Sequence, residues 1–186
     1  MRYLFESAEK LKKRKPEGMA SGISAKVLEI RKESIKNCLG DLNTMPHRQH
    51  YLGTFDGVMY YDDSQAESVN ATWFTFENIV KPVVWIVGGS CHSNYSDLIS
   101  AAKKSVKAII SLGEEQENIE MTFKGVVDEI HAVASIPDAV QLASKIAKRN
   151  DIVLFSPSCK DKEMTFDKRG AIYIQEVKNL SLSSQL

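Results

Sequence analysis

The chain has 186 residues, 43% of them hydrophobic and 26% charged, a composition that fits one globular domain with a short appendage and excludes a disordered chain. Basic and acidic side chains balance at 24 each, so the basic excess typical of nucleic-acid-binding proteins is absent. No apolar run approaches the roughly 20 residues of a membrane helix, and residues 1–15 are too charged for a signal peptide, so we expect a cytoplasmic protein without nucleic-acid or membrane contacts.

The first part of the chain, residues 1–45, predicts a helical segment ahead of the main domain. A polar helix is expected to end at Pro16, and apolar side chains from Ile23 to Ile35 then recur at near-helical spacing. The main domain is predicted to span residues 46–182. Because the apolar side chains of the helical segment need a packing surface, we expect this segment to bind a protein partner or to drive self-association.

The main domain opens with a predicted β-hairpin. Residues 51–55 and 58–61 are β-type runs, and the Asp56-Gly57 dipeptide between them favours the positive φ angles of a tight turn. Short apolar runs then alternate with helical patterns, which is typical of a Rossmann-like α/β fold with a mostly parallel sheet and helices on both faces. The later predicted strands are residues 82–87, 108–112, 129–133 and 152–155, and the predicted helices are residues 66–80, 97–106, 115–123, 137–148 and 171–180.

Candidate functional positions lie in the loops that follow the predicted strands. In folds of this kind, ligands bind at the carboxyl ends of the strands. The longest of these loops is predicted over residues 156–170, and long loops on compact domains are often functional. Strand-end positions singled out in this way are Ser64, Gly88, Gly89 and Ser156.

Six short motifs occur in order along these elements. They are Pro46-His47-Arg48, Asp62-Asp63-Ser64, Asn70-Ala71-Thr72, Gly88-Gly89, Ser156-Pro157 and Arg169-Gly170. In this order the motifs resemble the C-terminal domain of the Mur ligases, and in particular that of the D-glutamate-adding ligases. The resemblance extends over about residues 18–181, and it implies that residues 1–45 correspond to the end of a Mur ligase central domain.

The resemblance implies an ATP-dependent reaction of peptidoglycan precursor synthesis. In that family ATP phosphorylates the carboxyl group of a UDP-linked muramoyl-alanine, and the amine of D-glutamate attacks the acyl phosphate to form an amide. By resemblance, Arg48 and Asp63 lie at nucleotide-contacting positions; an internal ion pair between the two is the alternative interpretation. The positions of the amino-acid pocket, again by resemblance, are Gln65, Glu67, His92 and Phe166.

The chain departs from that family in two respects. It has no G-x-x-x-x-G-K-[ST] loop, so it encodes no phosphate cradle of that type. Where the family has two lysines and a threonine, this chain has Gln65, His92 and Glu67. D-glutamate carries two carboxylates and needs cationic or N–H donors, so we expect this domain not to bind it usefully, with Lys160 or Lys162 compensating only in part.

Three functions remain open at this point. The first is a degenerate ligase domain that acts as a binding or regulatory module, without ligase activity and without a cofactor when alone. The second is a fragment or subunit of an ATP-dependent UDP-N-acetylmuramoylalanine–D-glutamate ligase, which would use ATP and magnesium together with a partner ligase domain. The third is a nucleotide or small-molecule binder built around Arg48 and Asp63. No residue is predicted to be catalytic.

The cysteines predict neither a disulfide framework nor a metal site. Cys38, Cys91 and Cys159 are scattered and odd in number. The carboxylates near Cys159 have no spaced histidine partner, so no zinc site is predicted. Cys91 and His92 are neighbours in the chain. The side chains of adjacent residues rarely point at each other, so a nucleophile–base pair is not predicted either.

Overall fold

A computed structural model describes residues 46–90 and 92–183, without the side chains of Ser181 and Ser183. These residues belong to the compact unit Met45–Leu186. The predicted helical segment of residues 1–45, and with it the predicted surface for a partner or for self-association, lies outside the described residues. Within the described ranges, no helix is long and apolar enough to cross a membrane.

One six-stranded sheet forms the centre of the domain, with the strand order β1-β2-β6-β3-β4-β5. β1 and β2 are antiparallel, and all the other neighbours are parallel. The strands are β1 His50–Phe55, β2 Val58–Asp62, β3 Val83–Gly89, β4 Val106–Gly113, β5 Glu129–Val133 and β6 Ile152–Phe155. This topology confirms the predicted α/β class with a mostly parallel sheet preceded by a hairpin.

The hairpin turn forms where the sequence predicts it. Asp56 and Gly57 have φ angles of 52° and 82°, and two positive values in succession match the right-handed twist of the flanking strands. β2 then pairs with β6 in parallel, with Asp62 opposite Phe155. The backbone N–H of Asp63 extends this ladder by donating to the Phe155 carbonyl at 2.8 Å. The two consecutive aspartates therefore lie at the edge of the sheet where β3 and β6 also end.

The described part of the chain has five helices and one 3-10 turn, and the last helix follows the final strand. They are α1 Val69–Glu77, the 3-10 turn Tyr95–Leu98, α2 Ile99–Ser105, α3 Gln116–Phe123, α4 Ile136–Ile146 and α5 Phe166–Ser183. The predicted start of the last helix was wrong, because α5 begins at Phe166 rather than Ala171. The first turn of α5 carries charged residues and Gly170, so its sequence lacks the apolar spacing that indicates a helix.

Two apolar cores lie on the two faces of the sheet, and successive residues of β3 point into one or the other. Trp85 belongs to the first core, where its ring meets Phe76 edge-on at 5.0 Å and Phe123 at 5.5 Å between centroids. Ile86 belongs to the second core, together with Tyr173 of α5. Burial of each such side chain contributes about 1.5–3 kcal/mol, and this packing fixes the strand ends that carry the candidate site.

Candidate functional site

A buried ion pair connects the segment before β1 to the end of β2. Arg48 Nη1 donates to Asp63 Oδ1 at 2.9 Å, and the two side chains are 6% and 0% exposed. Arg48 Nη2 donates to the Ala71 carbonyl at 3.2 Å, so both terminal nitrogens of the guanidinium are bonded within the protein. Asp63 also accepts from the Gln49 backbone N–H and from the Thr75 hydroxyl. The ion pair predicted as the alternative to a nucleotide contact is therefore present.

The protonation of Asp63 reflects two opposing effects. Burial disfavours the charged carboxylate and raises its pKa from 3.8 to about 6. Arg48, followed by the hydroxyl donors Thr75 and Ser156, acts in the opposite direction by stabilising the carboxylate. Since Asp63 is fully buried, desolvation dominates over these stabilising contacts. In the ion pair it is therefore the Asp63 carboxyl group that gains or loses a proton at mildly acidic pH.

A chain of hydroxyl groups leads from Asp63 towards the loop after β6. Ser156 Oγ donates to Asp63 Oδ2 at 2.9 Å, and this uses the only hydroxyl proton of Ser156. Thr72 of α1 must therefore donate to Ser156 across their 2.7 Å contact. Ser158 in turn donates to Thr72 at 2.8 Å. We call Ser158, Thr72 and Ser156 the hydroxyl chain; all three residues are fully buried.

The neighbouring aspartate, Asp62, holds a histidine against the last helix. The Asp62 carboxylate accepts from His47 Nδ1 at 2.6 Å and from the Ser64 backbone N–H at 3.0 Å. Phe166 also contacts this histidine, edge-on at 6.2 Å between ring centroids. Gly170 of α5 lies so close that a Cβ there would be 2.3 Å from both His47 Nδ1 and Ser64 Oγ. The helix therefore packs here only because the residue lacks a side chain.

Arg169 ties three segments together from inside α5. Its side chain is buried and donates to the Ser64 carbonyl from Nε and Nη2, at 3.1 and 2.7 Å, and to the Cys159 carbonyl from Nη1 at 3.1 Å. Glu67 Oε1 lies 3.7 Å from Nη2. Burial lowers the pKa of Arg169, while the nearby carboxylates Glu67, Asp161 and Asp62 oppose that effect. The guanidinium is thus committed to internal carbonyl groups.

β3 ends in two glycines that permit a close approach of the neighbouring strand. Gly88 has φ 104°, and a Cβ there would meet the Leu112 carbonyl oxygen at 2.5 Å. The next residues of the loop contact the loop after β6, because Ser90 Oγ donates to Asp161 Oδ1 at 2.6 Å. Asp161 Oδ1 also accepts from the backbone N–H groups of Glu163 and Met164. The two loops are therefore joined at the carboxyl edge of the sheet.

A polar cleft of about 490 Å³ opens beside these loops. Its charged lining residues include Glu67, Asp97 and Lys160, together with His92. His92 is 83% exposed, and its Nδ1 lies 3.0 Å from Oε1 of Glu115, a carboxylate that is only 1% exposed. The complete lining is Glu67, Ser68, Val69, Asn70, His92, Ser93, Asn94, Asp97, Cys159 and Lys160. We refer to it as the polar cleft.

The structure brings only some of the predicted pocket positions together. Glu67 and His92 both line the polar cleft. Phe166 instead packs against His47, and the Gln65 backbone N–H donates to the His47 carbonyl at 3.0 Å. Gln65 Oε1 is buried without a hydrogen-bond partner among the described residues. The roles predicted for these positions in contacting an amino acid, and for Arg48 and Asp63 in contacting a nucleotide, remain predictions.

Several residues of the site were missed at the level of the sequence. Thr72 was named only as part of a motif, without a role, and Thr75 gave no signal. Their partners lie 84 and 12 residues away, and only the tertiary packing of α1 selects them. Glu115 was placed at a predicted helix start without a role. Asp161 lies in the loop predicted to be functional, but nothing in the local sequence indicates its contact with Ser90.

Cys159 is disulfide-bonded, so the sequence argument against disulfides is wrong for this cysteine. The scattered, odd-numbered cysteines argued against a disulfide framework, but separation in the sequence does not measure distance in the fold. Its bonding partner is not among the described residues. Cys159 is 2% exposed, and its carbonyl accepts from Arg169, so it belongs to the buried framework of the site.

The described residues do not by themselves fit a magnesium–nucleotide complex. Across the two described ranges, no group of three or more His, Cys, Asp or Glu side chains is arranged to hold a metal ion. The cations nearest the buried aspartates, Arg48 and Arg169, direct their terminal nitrogens to protein oxygens. No step that involves a nucleotide phosphate can therefore be derived from this domain alone.

Fold and strand-end loops together define an α/β domain of the type that bears a ligand site on the carboxyl edge of its sheet. Among solved structures, a murein peptide ligase from Psychrobacter arcticus is similar, with a TM-score of 0.54, 12% identity, and coverage of 73% of this chain and 30% of that one. A MurF ligase from Thermotoga maritima in complex with ADP has a TM-score of 0.51 at 15% identity, covering 73% and 32%. At such identities the likeness is one of fold.

The family is established by sequence. The chain belongs to the family described as the Mur ligase, glutamate ligase domain, whose model matches residues 47–159. A UDP-N-acetylmuramoylalanine–D-glutamate ligase from Porphyromonas gingivalis is 35% identical over 165 residues, covering 87% of this chain and 37% of that protein. The ligase of the same name from Salinibacter ruber is 33% identical, covering 87% and 36%. The chain thus spans little more than a third of the length of these relatives.

Proposed function

We propose that this chain is a degenerate glutamate ligase domain, related to the enzymes of peptidoglycan precursor synthesis, that serves as a binding or regulatory module and has no ligase activity by itself. One observation carries the proposal. The polar cleft is lined by the carboxylates of Glu67 and Asp97, and Lys160 is its one fully charged basic residue. The buried cations Arg48 and Arg169 are bonded to internal oxygens.

The charge of the cleft disfavours a dicarboxylate such as D-glutamate. Each ligand carboxylate needs a cationic or N–H donor. His92 is held by the Glu115 carboxylate, whose own charge lies directly behind the imidazole. A ligand carboxylate placed within about 4 Å of Glu67 meets a repulsion of about 1 kcal/mol in water, and more inside a closed cleft. Lys160 offsets this repulsion only in part, so we expect the net electrostatic contribution to D-glutamate binding to be unfavourable.

Calorimetric and thermal-shift titration of the full chain with D-glutamate tests the proposal. We expect no heat of binding and no rise in melting temperature, because a ligand that binds only the native state must stabilise it. The triple variant Gln65→Lys, Glu67→Thr, His92→Lys puts the family's residue types back, and we expect it to gain D-glutamate binding. Saturable binding of D-glutamate to the unaltered chain would show that the proposal is wrong.

A matched control separates the cleft from the overall charge. The variant Gln141→Lys, Glu120→Thr, His131→Lys makes the same three changes outside the polar cleft. It raises the net charge equally, and we expect no gain of D-glutamate binding. Equal gains in both triple variants would mean that overall charge, rather than the residues lining the cleft, governs binding.

A second candidate function is that of a subunit of an ATP-dependent ligase. It is favoured by the similarity to a D-glutamate ligase, which is 35% identical over 165 residues. The matched region covers only 37% of the length of that ligase. In that case ATP and magnesium would be bound by a separate partner domain. Mixing the chain with the remaining domains of such a relative, followed by measurement of ADP release with and without D-glutamate, distinguishes the two functions. Amino-acid-dependent ADP release supports the second.

A further inference from the structure

A second cleft, of about 320 Å³, lies where the chain reverses its direction across the sheet, between β3 and β6. This is the topological switch point, outside which open α/β sheets bind their ligands. We call it the switch-point cleft. Its walls are largely apolar, formed by Leu112, Ala134, Ile136, Pro137, Phe155, Met164 and Ile172. The volume is at the lower end of the range for small-molecule sites, enough for a ligand about the size of one amino acid.

Glycines keep the floor of the switch-point cleft open. Gly113, with φ 68°, approaches Gly89 so closely that a Cβ on it would be 2.7 Å from the Gly89 carbonyl oxygen. A Cβ on Gly89 would lie 2.8 Å from Asp161 Oδ2. The Asp161 carboxylate therefore lies against the backbone of Gly89 at the mouth of the cleft.

The polar groups of the switch-point cleft are mainly carboxylates. Asp161, Glu163 and Glu114 line it, and Arg169 is the one basic residue in the lining. Arg169 is 2% exposed, and its Nε and both Nη atoms donate to main-chain carbonyls. The arginine is therefore not directed at an anion in the cleft. Its charge lies near Asp161 and offsets part of the negative charge, but three carboxylates against one guanidinium leave the lining negative.

Asp161 is held in position as a carboxylate. Its Oδ1 accepts from Ser90 Oγ at 2.6 Å and from the backbone N–H groups of Glu163 and Met164 at 2.8 and 3.2 Å. These hydrogen bonds outweigh partial burial and lower the pKa of Asp161. An ordered, ionised carboxylate at the mouth of an apolar cleft matches a ligand with a positive head and an apolar stem.

We propose that the switch-point cleft binds an organic cation, a primary ammonium group carried on an apolar stem. The ammonium would meet the carboxylates of Asp161 and Glu163, and the stem would lie along Leu112, Ile136 and Met164. This site is separate from the polar cleft and does not depend on whether D-glutamate binds there. It gives the domain a ligand opposite in charge to a dicarboxylic amino acid.

Nuclear magnetic resonance titration with three ligands of five carbon atoms each tests the proposal. The probes are pentylamine, pentan-1-ol and pentanoate, added to the full chain at neutral pH. We expect pentylamine to shift the amide resonances of Gly89, Gly113 and Ile136 in a saturable manner. The alcohol and the carboxylate should bind at least about tenfold more weakly, since each lacks the ion pair with the cleft.

Two variants and a control locate the charge. Asp161→Asn and Glu163→Gln should each weaken pentylamine binding, the first by about tenfold. Asp128→Asn removes the same charge at an exposed position just before β5, and should leave binding unchanged. The proposal is overturned if the three probes bind alike, if none saturates, if the shifts occur away from these amides, or if all three variants behave alike. Glu163→Gln keeps the test valid if Asp161→Asn unfolds.

Discussion

Replacing Gly170 with alanine adds one methyl group to the tightest contact between α5 and the rest of the domain. The new Cβ would be 2.3 Å from His47 Nδ1 and from Ser64 Oγ. Contacts between non-bonded heavy atoms are optimal at about 3.5–4.0 Å, so the helix or both neighbours must move by more than about 1 Å. Asp62 holds the histidine, and the Ser64 hydroxyl is fully buried, so it can only turn within a packed environment.

The expected loss of stability follows from two opposing effects. Overpacking a close-packed site costs about 1–3 kcal/mol. Alanine within a helix is favoured over glycine by about 0.5–1 kcal/mol, which offsets part of that cost. We therefore expect Gly170→Ala to lower the free energy of unfolding by about 1–2 kcal/mol and to weaken the contact between His47 and Asp62.

Urea unfolding followed by circular dichroism measures this change. Lys168→Ala is the matched control, since this exposed residue lies in the same helix and should change stability by less than about 0.5 kcal/mol. In a His47→Ala background the penalty of Gly170→Ala should shrink, because one of the two clashing groups has been removed. A Gly170→Ala variant as stable as the unaltered chain would refute this account of the helix contact.

Other predictions concern the buried groups around Asp63. Arg48→Met should lower the free energy of unfolding by about 3–5 kcal/mol, because it leaves a buried carboxylate unpaired, and the double variant with Asp63→Asn should recover part of the loss in the same urea assay. The pKa of Asp63 is raised to about 6 in the native state, so its protonated carboxyl group stabilises the folded chain. This contribution to the free energy of unfolding should be fully present below pH 4 and be lost as the pH rises through about 6, by at most about 3 kcal/mol. A pH series of unfolding curves should be flatter for Asp63→Asn. Trp85→Leu should cost about 2–4 kcal/mol through lost ring contacts and loss of the indole N–H bond to the Ser156 carbonyl, and a thermal melt that shows no decrease would contradict this.

Local rules predicted much of the fold. Asp56-Gly57 specifies its turn through backbone conformation alone, and the strand over residues 152–155 is a continuous apolar run with polar flanks, so both could be predicted without tertiary information. The start of α5 could not, because Arg169 and Gly170 are in the helix for reasons of packing. A buried arginine and a glycine look like loop residues until their contacts with Ser64 are known.

The candidate site was predictable only in part. The rule that ligands bind at the carboxyl ends of parallel strands selected the correct edge of the sheet. Glu67 and His92, which were predicted at that edge, do line the same cleft. It did not show that Phe166 turns towards His47 instead. Side-chain direction in a loop depends on contacts with residues distant in the chain, as the pairing of Ser90 with Asp161 illustrates, and a single sequence contains no record of those contacts.

The hydroxyl chain has a polarity that links a titration to geometry. While Asp63 is a carboxylate, each hydroxyl proton from Ser158 inwards points towards it, in one continuous direction. A proton taken up on Oδ2 becomes a donor to one of the two hydroxyls bonded to this oxygen, Ser156 or Thr75. When it is directed at Ser156, that serine turns its own proton away, and Thr72 follows. One protonation event then reverses a row of dipoles that runs between α1 and the loop after β6. This row of hydroxyls therefore has two hydrogen-bond arrangements, related by the direction in which its protons point.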